Sequence, residues 1–416
     1  MPAPLIVLIL SLLLGVQPLT TDLYLPALPA IVEGFGASVA QAHLTLSALL
    51  LAFGISQLVW GPLSDRFGRR PVLLWGLAAY TLAAVGSAFA PSMTLLIAWR
   101  TVQGAAMGAA VMCARAIVRD LYSPEVGARV MSKGLSGLGV LACLSAPVGG
   151  LLSELFGWRA ALLALAVAGA ATLALVVLRF EETVKTPNPH ALRPATVLRT
   201  WGAILRHHTF WSFALLAAAT YGGLFTFLAA SSFVLIKVLG VSKTVYGILM
   251  FSMSAAYIAG TVMCRRLLPR FGVRRTVAIG GTFSLVGGTL MGTLALAGVD
   301  NVWAIMGPVY LFMLGHGVHQ PCGQSGAIGP FPQAAGAASA MSGFLMTLSA
   351  FGMGQWLGAN MDGTVFALTN GIWFWGVMTA GVAWSLVQRV ADAPSPGRAA
   401  RAGAESRVSP AASARE

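Results

Sequence analysis

The stretch Gly61-Pro62-Leu63-Ser64-Asp65-Arg66-Phe67-Gly68-Arg69-Arg70 sets four charges within ten residues of a chain that is only 9% charged. An apolar run of about residues 42–63 leads into it, and another of about 72–90 follows. A spanning helix needs about 20 mostly apolar residues, so a charged turn between two such runs reads as a bilayer crossed twice. Gly61 and Gly68 permit close approach or positive φ. Asp65, Arg66, Arg69 and Arg70 can form ion pairs between helices at the membrane surface. On charge alone, two readings stand: a basic loop that only sets topology, or a latch that holds one state of a cytoplasmic gate.

The rest of the 416 residues extends this pattern. Hydrophobic residues make up 57% of the chain and its mean hydropathy is +0.79. A soluble globular protein carries about 25% charged residues, and a chain this apolar cannot cover its surface with polar groups. A cytosolic enzyme, a secreted domain and a disordered polymer are thereby excluded. Twelve apolar stretches are expected to be helices, at roughly 5–31, 42–63, 72–90, 93–118, 128–153, 158–179, 209–237, 244–267, 274–298, 301–326, 335–359 and 364–389. They are long and do not alternate with period two, which argues against barrel strands. The first has no basic leading region and continues through Pro18 and Asp22 without a convincing cleavage site, so it is expected to be a true span.

Lys and Arg outnumber Asp and Glu by 26 to 13. In a soluble protein that would suggest nucleic acid; here it orients the chain and no nucleic-acid partner is expected. Twenty-two of the 26 fall in alternate loops and the C-terminal end, leaving Arg159, Lys237 and Lys243 opposite and Arg100 within a span. By the positive-inside bias both termini are cytoplasmic. Cys113, Cys143, Cys264 and Cys322 lie in apolar stretches without CxxC spacing and read as core residues.

Two halves are expected: residues 1–180 and 209–390, each of six helices, joined by a proline-containing cytoplasmic linker over 181–208. Residues 391–416, rich in Ala, Ser, Pro, Gly and Arg, are expected to form a disordered cytoplasmic tail. Arg66-Phe67-Gly68 after the second span recurs as Arg270-Phe271-Gly272 after the eighth, and Met131-Ser132 recurs as Met341-Ser342. A parallel repeat about an axis along the membrane normal places a substrate site between the halves, near mid-membrane.

The loop GPLSDRFGRR resembles the signature between the second and third spans of the major facilitator superfamily. Leu96-Ile97-Ala98-Trp99-Arg100-Thr101-Val102-Gln103-Gly104 resembles its fourth-span motif. Ala146-Pro147-Val148-Gly149-Gly150 resembles its fifth-span antiporter motif, with Ala146 in place of the first Gly. Thr21-Asp22-Leu23-Tyr24-Leu25-Pro26-Ala27-Leu28-Pro29 and Ala116-Ile117-Val118-Arg119-Asp120-Leu121-Tyr122 are similar to the bicyclomycin and chloramphenicol resistance (Bcr/CflA) branch of drug:proton antiporters. The resemblance implies an all-α fold of twelve transmembrane helices in two six-helix halves related by a pseudo-two-fold axis. It also implies that Arg100 takes part in proton coupling and that Asp120 joins a gate network with Arg66 or Arg69. It implies further that the region of Ala146, Pro147, Gly149 and Gly150 limits leak.

Asp22 is the only acid deep in an expected span. An intramembrane charge costs roughly 2.5–3.5 kcal/mol on insertion scales, so it faces a cavity or a partner. Low dielectric favours a neutral acid and a nearby cation favours a carboxylate; a group balanced between the two can trade a proton for a substrate. A structural ion pair is the other reading. At 1.5 Å per residue Asp22 and Arg100 lie about 13 and 12 Å below the same surface, with their facing left open. Gln103 shares a face with Arg100.

On the tenth expected span, His316 and His319 stand at i,i+3 with Gln320 beside them. No third metal ligand is evident, so no metal is expected; a polar wall that meets substrate and simple interhelical hydrogen bonding are the two readings. Tyr24, Gln57 and Tyr221 are further cavity candidates, with Phe225 and Phe227. No GxxxxGK[ST] loop is present, so the energy source is expected to be a proton gradient and no cofactor is expected. The expected function is proton-coupled efflux of small drug-like or amphipathic compounds across a bacterial inner membrane, by a monomer whose partners are substrate, protons and lipid. A dedicated carrier of one native metabolite is the rival within transport; a membrane enzyme would need a catalytic constellation that the sequence does not show.

Overall fold

The computed structural model describes residues 1–122, 124–184, 194–331 and 334–390. Among these there is no strand. The expected tail, 391–416, and most of the proline-containing part of the linker lie outside them.

The first half holds α1 (Ala3–Asp22), α2 (Leu28–Phe35), α3 (Val39–Phe67), α4 (Arg69–Ala88), α5 (Met93–Leu121), α6 (Pro124–Leu155) and α7 (Trp158–Arg179). A short helix, α8 (Pro194–Leu205), lies in the linker. The second half holds α9 (His208–Ser232), α10 (Lys243–Leu296), α11 (Val302–Ile328), α12 (Ala335–Asn360) and α13 (Phe366–Trp384). The stretch 181–208, expected as a cytoplasmic linker, contains α8. One expectation is corrected. The first span is broken where one helix was expected: α1 ends at Asp22, a 3₁₀ turn covers Leu25–Ala27, and α2 completes the crossing. Pro26 and Pro29 cause the break, since neither can donate to the carbonyl four residues earlier.

At 54 residues, α10 would be about 81 Å long if straight, far more than a hydrocarbon core of about 30 Å. It is two spans meeting at Gly272, whose φ of 71° and ψ of 177° are non-helical. Gly68, between α3 and α4, has φ 99° and ψ 164°. The Arg-Phe-Gly repeat is thus a repeat of backbone geometry, with a residue lacking Cβ at each reversal. Counting the two arms of α10 separately gives twelve spans among the described residues.

Apolar side chains on the outside, such as Leu178 at 75% and Leu82 at 67% exposure, face what would be lipid. Helices are the open-chain structure that satisfies every backbone N–H and C=O in such a solvent. Between the halves, α3 packs on α12 and α6 on α10. Small residues allow this: a Cβ added at Gly247 would lie 2.7 Å from Pro147 Cα, and one at Gly358 would lie 2.8 Å from Ala40 Cα. The face carrying Gly68 and Gly272 is called the arginine-rich face below.

Candidate functional site: a cavity between the halves

A cavity of about 220 Å³ lies between the two halves. From the first half it receives α1, α3 and α6, and from the second α9, the first arm of α10, and α11. Asp22 opens into it, together with Gln17, Thr21, Ser254, His316 and Gln320. The rest of the lining is apolar or aromatic, and no Lys or Arg contributes. Asp22 sits at the last turn of α1, where the break imposed by Pro26 leaves the chain turned toward the cavity. The Thr21 hydroxyl donates to its carboxylate at 2.8 Å.

Arg100 takes another route. It is fully buried, donates to Gln103 Oε1 at 2.7 Å and to the Thr20 carbonyl at 3.1 Å, and its guanidinium lies 4.3 Å from the centroid of the Tyr24 ring. Tyr24 is held in turn by a 2.9 Å hydrogen bond to Thr45. Among the described residues no ion pair joins Arg100 to Asp22: the acid lines the cavity, and Arg100 is held by Gln103, the Thr20 carbonyl and the Tyr24 ring.

Of the seven residues expected on the cavity wall, Tyr221, His316 and Gln320 line it. Tyr24, Gln57, Gln103 and His319 are not part of its lining. Tyr24 and Gln103 enclose Arg100. Gln57 lies on α3 where it meets α12, 3.5 Å from the Cβ position of Gly343. His319 bonds the Val277 carbonyl at 3.1 Å, on the second arm of α10. His316 and His319 are 300° apart around the helix at 100° per residue, so a spacing of three leaves 60° between their directions, enough to separate cavity from packing seam. Of the two weaker aromatic candidates, Phe225 lines the cavity and Phe227 lies in the core. Gln17, Ser254 and Tyr257 line it without having been singled out; their signal, a polar atom in an apolar run, is shared by many interhelical Ser, Thr and Gln residues.

On the arginine-rich face Arg69 is 3% exposed and gathers the signature loop. Its Nη1 reaches Asp65 at 2.8 Å and Ser64 Oγ at 2.7 Å, and its Nε reaches Asp120 at 2.8 Å. Arg66 lies over the Phe67 ring at 5.3 Å. The pairing of Asp120 is therefore with Arg69. The backbone N–H groups of Arg69 and Arg70 each donate at 2.9 Å to Glu182, just past α7. A Cβ on Gly68 would overlap that carboxylate. Partial burial opposes ionisation of Glu182, but the backbone N–H groups of Val184, Arg69, Arg70 and Thr183 outweigh it and hold the carboxyl below its ordinary range. Glu182 also sits at the N-terminus of α4, where the helix dipole favours an anion. Sequence reasoning did not single it out. In the second half Gln388 stands at the related place and donates to the Arg274 carbonyl at 3.0 Å.

The antiporter-like segment packs between helices of both halves. A Cβ on Gly149 would overlap the Leu23 carbonyl oxygen of the first span, and one on Gly150 would lie 2.6 Å from the Lys243 carbonyl oxygen at the start of α10. Ala146 is 3% exposed, and its carbonyl oxygen, with Pro147, lies against Gly247. On the face opposite the arginine-rich one, contacts that join the halves include Lys237 with Glu33, the Thr244 backbone N–H donating to Glu154 at 3.1 Å, and Lys243 Nζ donating to the Ser153 carbonyl at 3.3 Å. Nearer the arginine-rich face Arg115 donates to Ser339 at 2.7 Å, also across the halves.

Twelve apolar helices in two halves, with a cavity between them whose described lining holds one acid, define a multi-pass membrane transporter. The profile of the Major Facilitator Superfamily matches residues 10–354, and the chain belongs to that family. It is 31% identical over 343 residues to multidrug resistance protein D of Escherichia coli strain K12, covering 82% of this chain and 86% of that one. It is 28% identical over 338 residues to a bicyclomycin resistance protein homolog of Haemophilus influenzae, covering 81% and 84%. It is also 28% identical over 324 residues to a chloramphenicol resistance protein of Pseudomonas aeruginosa, covering 77% and 75%. These relatives place it in the Bcr/CflA branch. In fold it superposes on a D-xylose-proton symporter with a TM-score of 0.72, at 16% identity, covering 93% of this chain and 98% of that one.

Proposed function

We propose that this protein exports small drug-like or amphipathic compounds from the cytoplasm in exchange for protons. The observation that carries the reading is the cavity itself. It is largely apolar, lies between the halves, and contains Asp22, which has no cationic partner among the described residues, while Arg100 is engaged elsewhere. An acid that meets the cavity can hold either a proton or a substrate's donor group, and the two compete for the same oxygens. A proton arriving from outside releases the substrate, and the protonated carrier returns. The names of the relatives, which are resistance proteins, agree with this direction.

The arginine-rich face is cytoplasmic in this reading, and the membrane is the bacterial inner membrane. The Lys237–Glu33 and Glu154–Thr244 contacts close the outer side, and the Arg69–Asp65–Asp120 cluster braces the cytoplasmic side. The signature loop then acts as a latch as well as a topology signal. The protein works as a monomer, because both gates and the cavity lie within one chain, and it needs no cofactor beyond the proton gradient.

The test is proton movement in everted membrane vesicles containing the protein, with a panel of cationic, neutral and zwitterionic compounds. Partial collapse of an inward-acidic gradient by several unrelated compounds is the expected outcome. Collapse by one metabolite alone would make the protein a dedicated carrier, and no response to any compound would count against export.

A further inference from the structure

We infer that His43 is the proton-sensitive element of the outer gate: the halves close on that side only around a neutral imidazole, so acid outside holds the carrier outward-facing. The inference rests on the export reading, which makes this side the outer one, and deepens it by naming a residue that controls the cycle. His43 lies near the start of α3 in the first half and is fully buried. Two groups of the second half pack on it. Its ring lies 5.5 Å from that of Phe233, in the turn of π-helix that follows α9, and its Nε2 lies 2.9 Å from the Met361 sulfur just past α12.

The seam on either side of the ring joins the same two halves. One turn nearer the surface Gly358 packs against Ala40, and one turn deeper Gln355 donates to Ser47 at 3.4 Å. His43 therefore lies within a continuous contact of α3 with α12, and parting the halves here exposes the ring to the outside.

A neutral imidazole has one N–H and one bare nitrogen, whereas an imidazolium has two N–H groups. Here Nδ1 is enclosed with no hydrogen-bond partner among the described residues, and Nε2 has a thioether sulfur, a weak acceptor. The neutral ring fits such a site with its proton toward the sulfur. An imidazolium would leave the Nδ1 proton without an acceptor and a buried charge without a counter-ion, and both are costly. The charged groups on the elements around it are engaged with others: Glu33 on α2 with Lys237 on the π turn, Asp362 past α12 with Thr364, and Arg100 on α5 with Gln103 and the Thr20 carbonyl. Tyr24, on the first span, is bonded to Thr45. An imidazole in water titrates near pH about 6.5. Once the halves part, the ring takes a proton from outside water below that pH, and it returns the proton there before they close.

Amide hydrogen exchange, read by mass spectrometry on the purified full-length protein in detergent and corrected for intrinsic rates, reports the balance of closed and open outer gate. The segments to follow are 36–46 and 355–362. Between about pH 7.5 and about pH 5.5 the neutral fraction of an exposed imidazole falls from about nine-tenths to about one-tenth. Protection in the wild type relative to His43→Gln should therefore fall about tenfold from the higher pH to the lower. Asp22 and the gate carboxylates are common to both proteins, so the ratio isolates the ring. His43→Phe keeps an aromatic ring against Phe233 and cannot titrate. It should give the same fall, and it supplies the comparison if melting temperatures show the Gln variant to be misfolded.

A ratio that changes by less than about twofold overturns the inference, as does a His43→Phe variant whose protection follows pH as the wild type's does. Proton movement with the compound panel is read separately. A carrier that exports while its ratio stays flat loses this inference and keeps the export reading. A carrier whose ratio falls as expected but couples to nothing loses the export reading instead, and the proton-sensitive closure on this side stands.

Discussion

Arg100 donates a 3.1 Å hydrogen bond to the backbone carbonyl of Thr20, two residues before Asp22. Arg100, buried in the first half, is thus tied to the helix that carries Asp22, and among the described residues it makes no ion pair with that acid. The tie holds the end of α1 against α5 while the carboxylate remains turned to the cavity. In the proposed cycle Arg100 is a positioning residue, and Asp22 is the group that meets substrate and proton.

Arg100→Lys should therefore behave as a damaging change despite keeping the charge. Lys has no planar fork to serve Gln103 and the Thr20 carbonyl together, and a compact ammonium sits less well over the Tyr24 ring. A loss of about 2 kcal/mol in stability is expected from one buried hydrogen bond and part of a cation–π contact. Thermal unfolding in detergent reads this; a variant with wild-type stability and coupling would remove the positioning role.

Tyr24 separates two contributions. Tyr24→Phe removes only the hydrogen bond to Thr45 and should cost about 1 kcal/mol, with transport largely kept. Tyr24→Leu also removes the ring beneath Arg100 and should cost roughly 1–2 kcal/mol more, with transport impaired. Equal effects of the two substitutions would show that the ring face does not matter.

Two glycines on α6 make a paired control. Gly149→Ala places a methyl against the Leu23 carbonyl oxygen, and backbone cannot rotate away. A cost of about 1–3 kcal/mol, as for other overpacked sites, is expected, together with loss of coupled transport. Gly139 has no atom within 4 Å of its Cβ position. Gly139→Ala should be neutral or stabilising by up to about 1 kcal/mol through helix propensity. A tolerated Gly149→Ala would contradict the packing described here.

Glu182 predicts a pH dependence with a definite sign. Its carboxyl titrates lower in the folded protein than in the unfolded chain, so its stabilisation is complete above the unfolded value of about 4.3. That stabilisation is lost as the pH falls through the lower, folded value. The gap in melting temperature between wild type and Glu182→Gln should be constant from neutral pH down to about 5 and close only in stronger acid. A gap that already changes between pH 8 and 6 would mean that another group carries the effect.

The spans, their number and the reversal at each Arg-Phe-Gly were legible because an apolar run of about 20 residues has few other fates. The partner of Asp120 was narrowed to two arginines for the same reason, since charges gather at the few places where water reaches. The rotation of each helix was not legible. These helices are apolar on nearly every side, because lipid and packed core are both apolar, so no periodicity separates the cavity face from the others. Tyr24, Gln103 and His319 were placed on the wall for that reason, and each lies in a packing seam instead. The break after Asp22 was written in Pro26 and Pro29, though prolines within spans are often accommodated without a break. Glu182 was missed because its role depends on the distant N-terminus of α4, 113 residues away in sequence at Arg69.

The most direct test of the account compares wild type and Asp22→Asn in two assays on the same vesicles. One measures uphill substrate movement driven by a proton gradient, and the other measures exchange of labelled for unlabelled substrate with no gradient. The account predicts that Asp22→Asn loses uphill movement while still exchanging substrate. An Asp22→Asn protein that pumps against a gradient as the wild type does would contradict it.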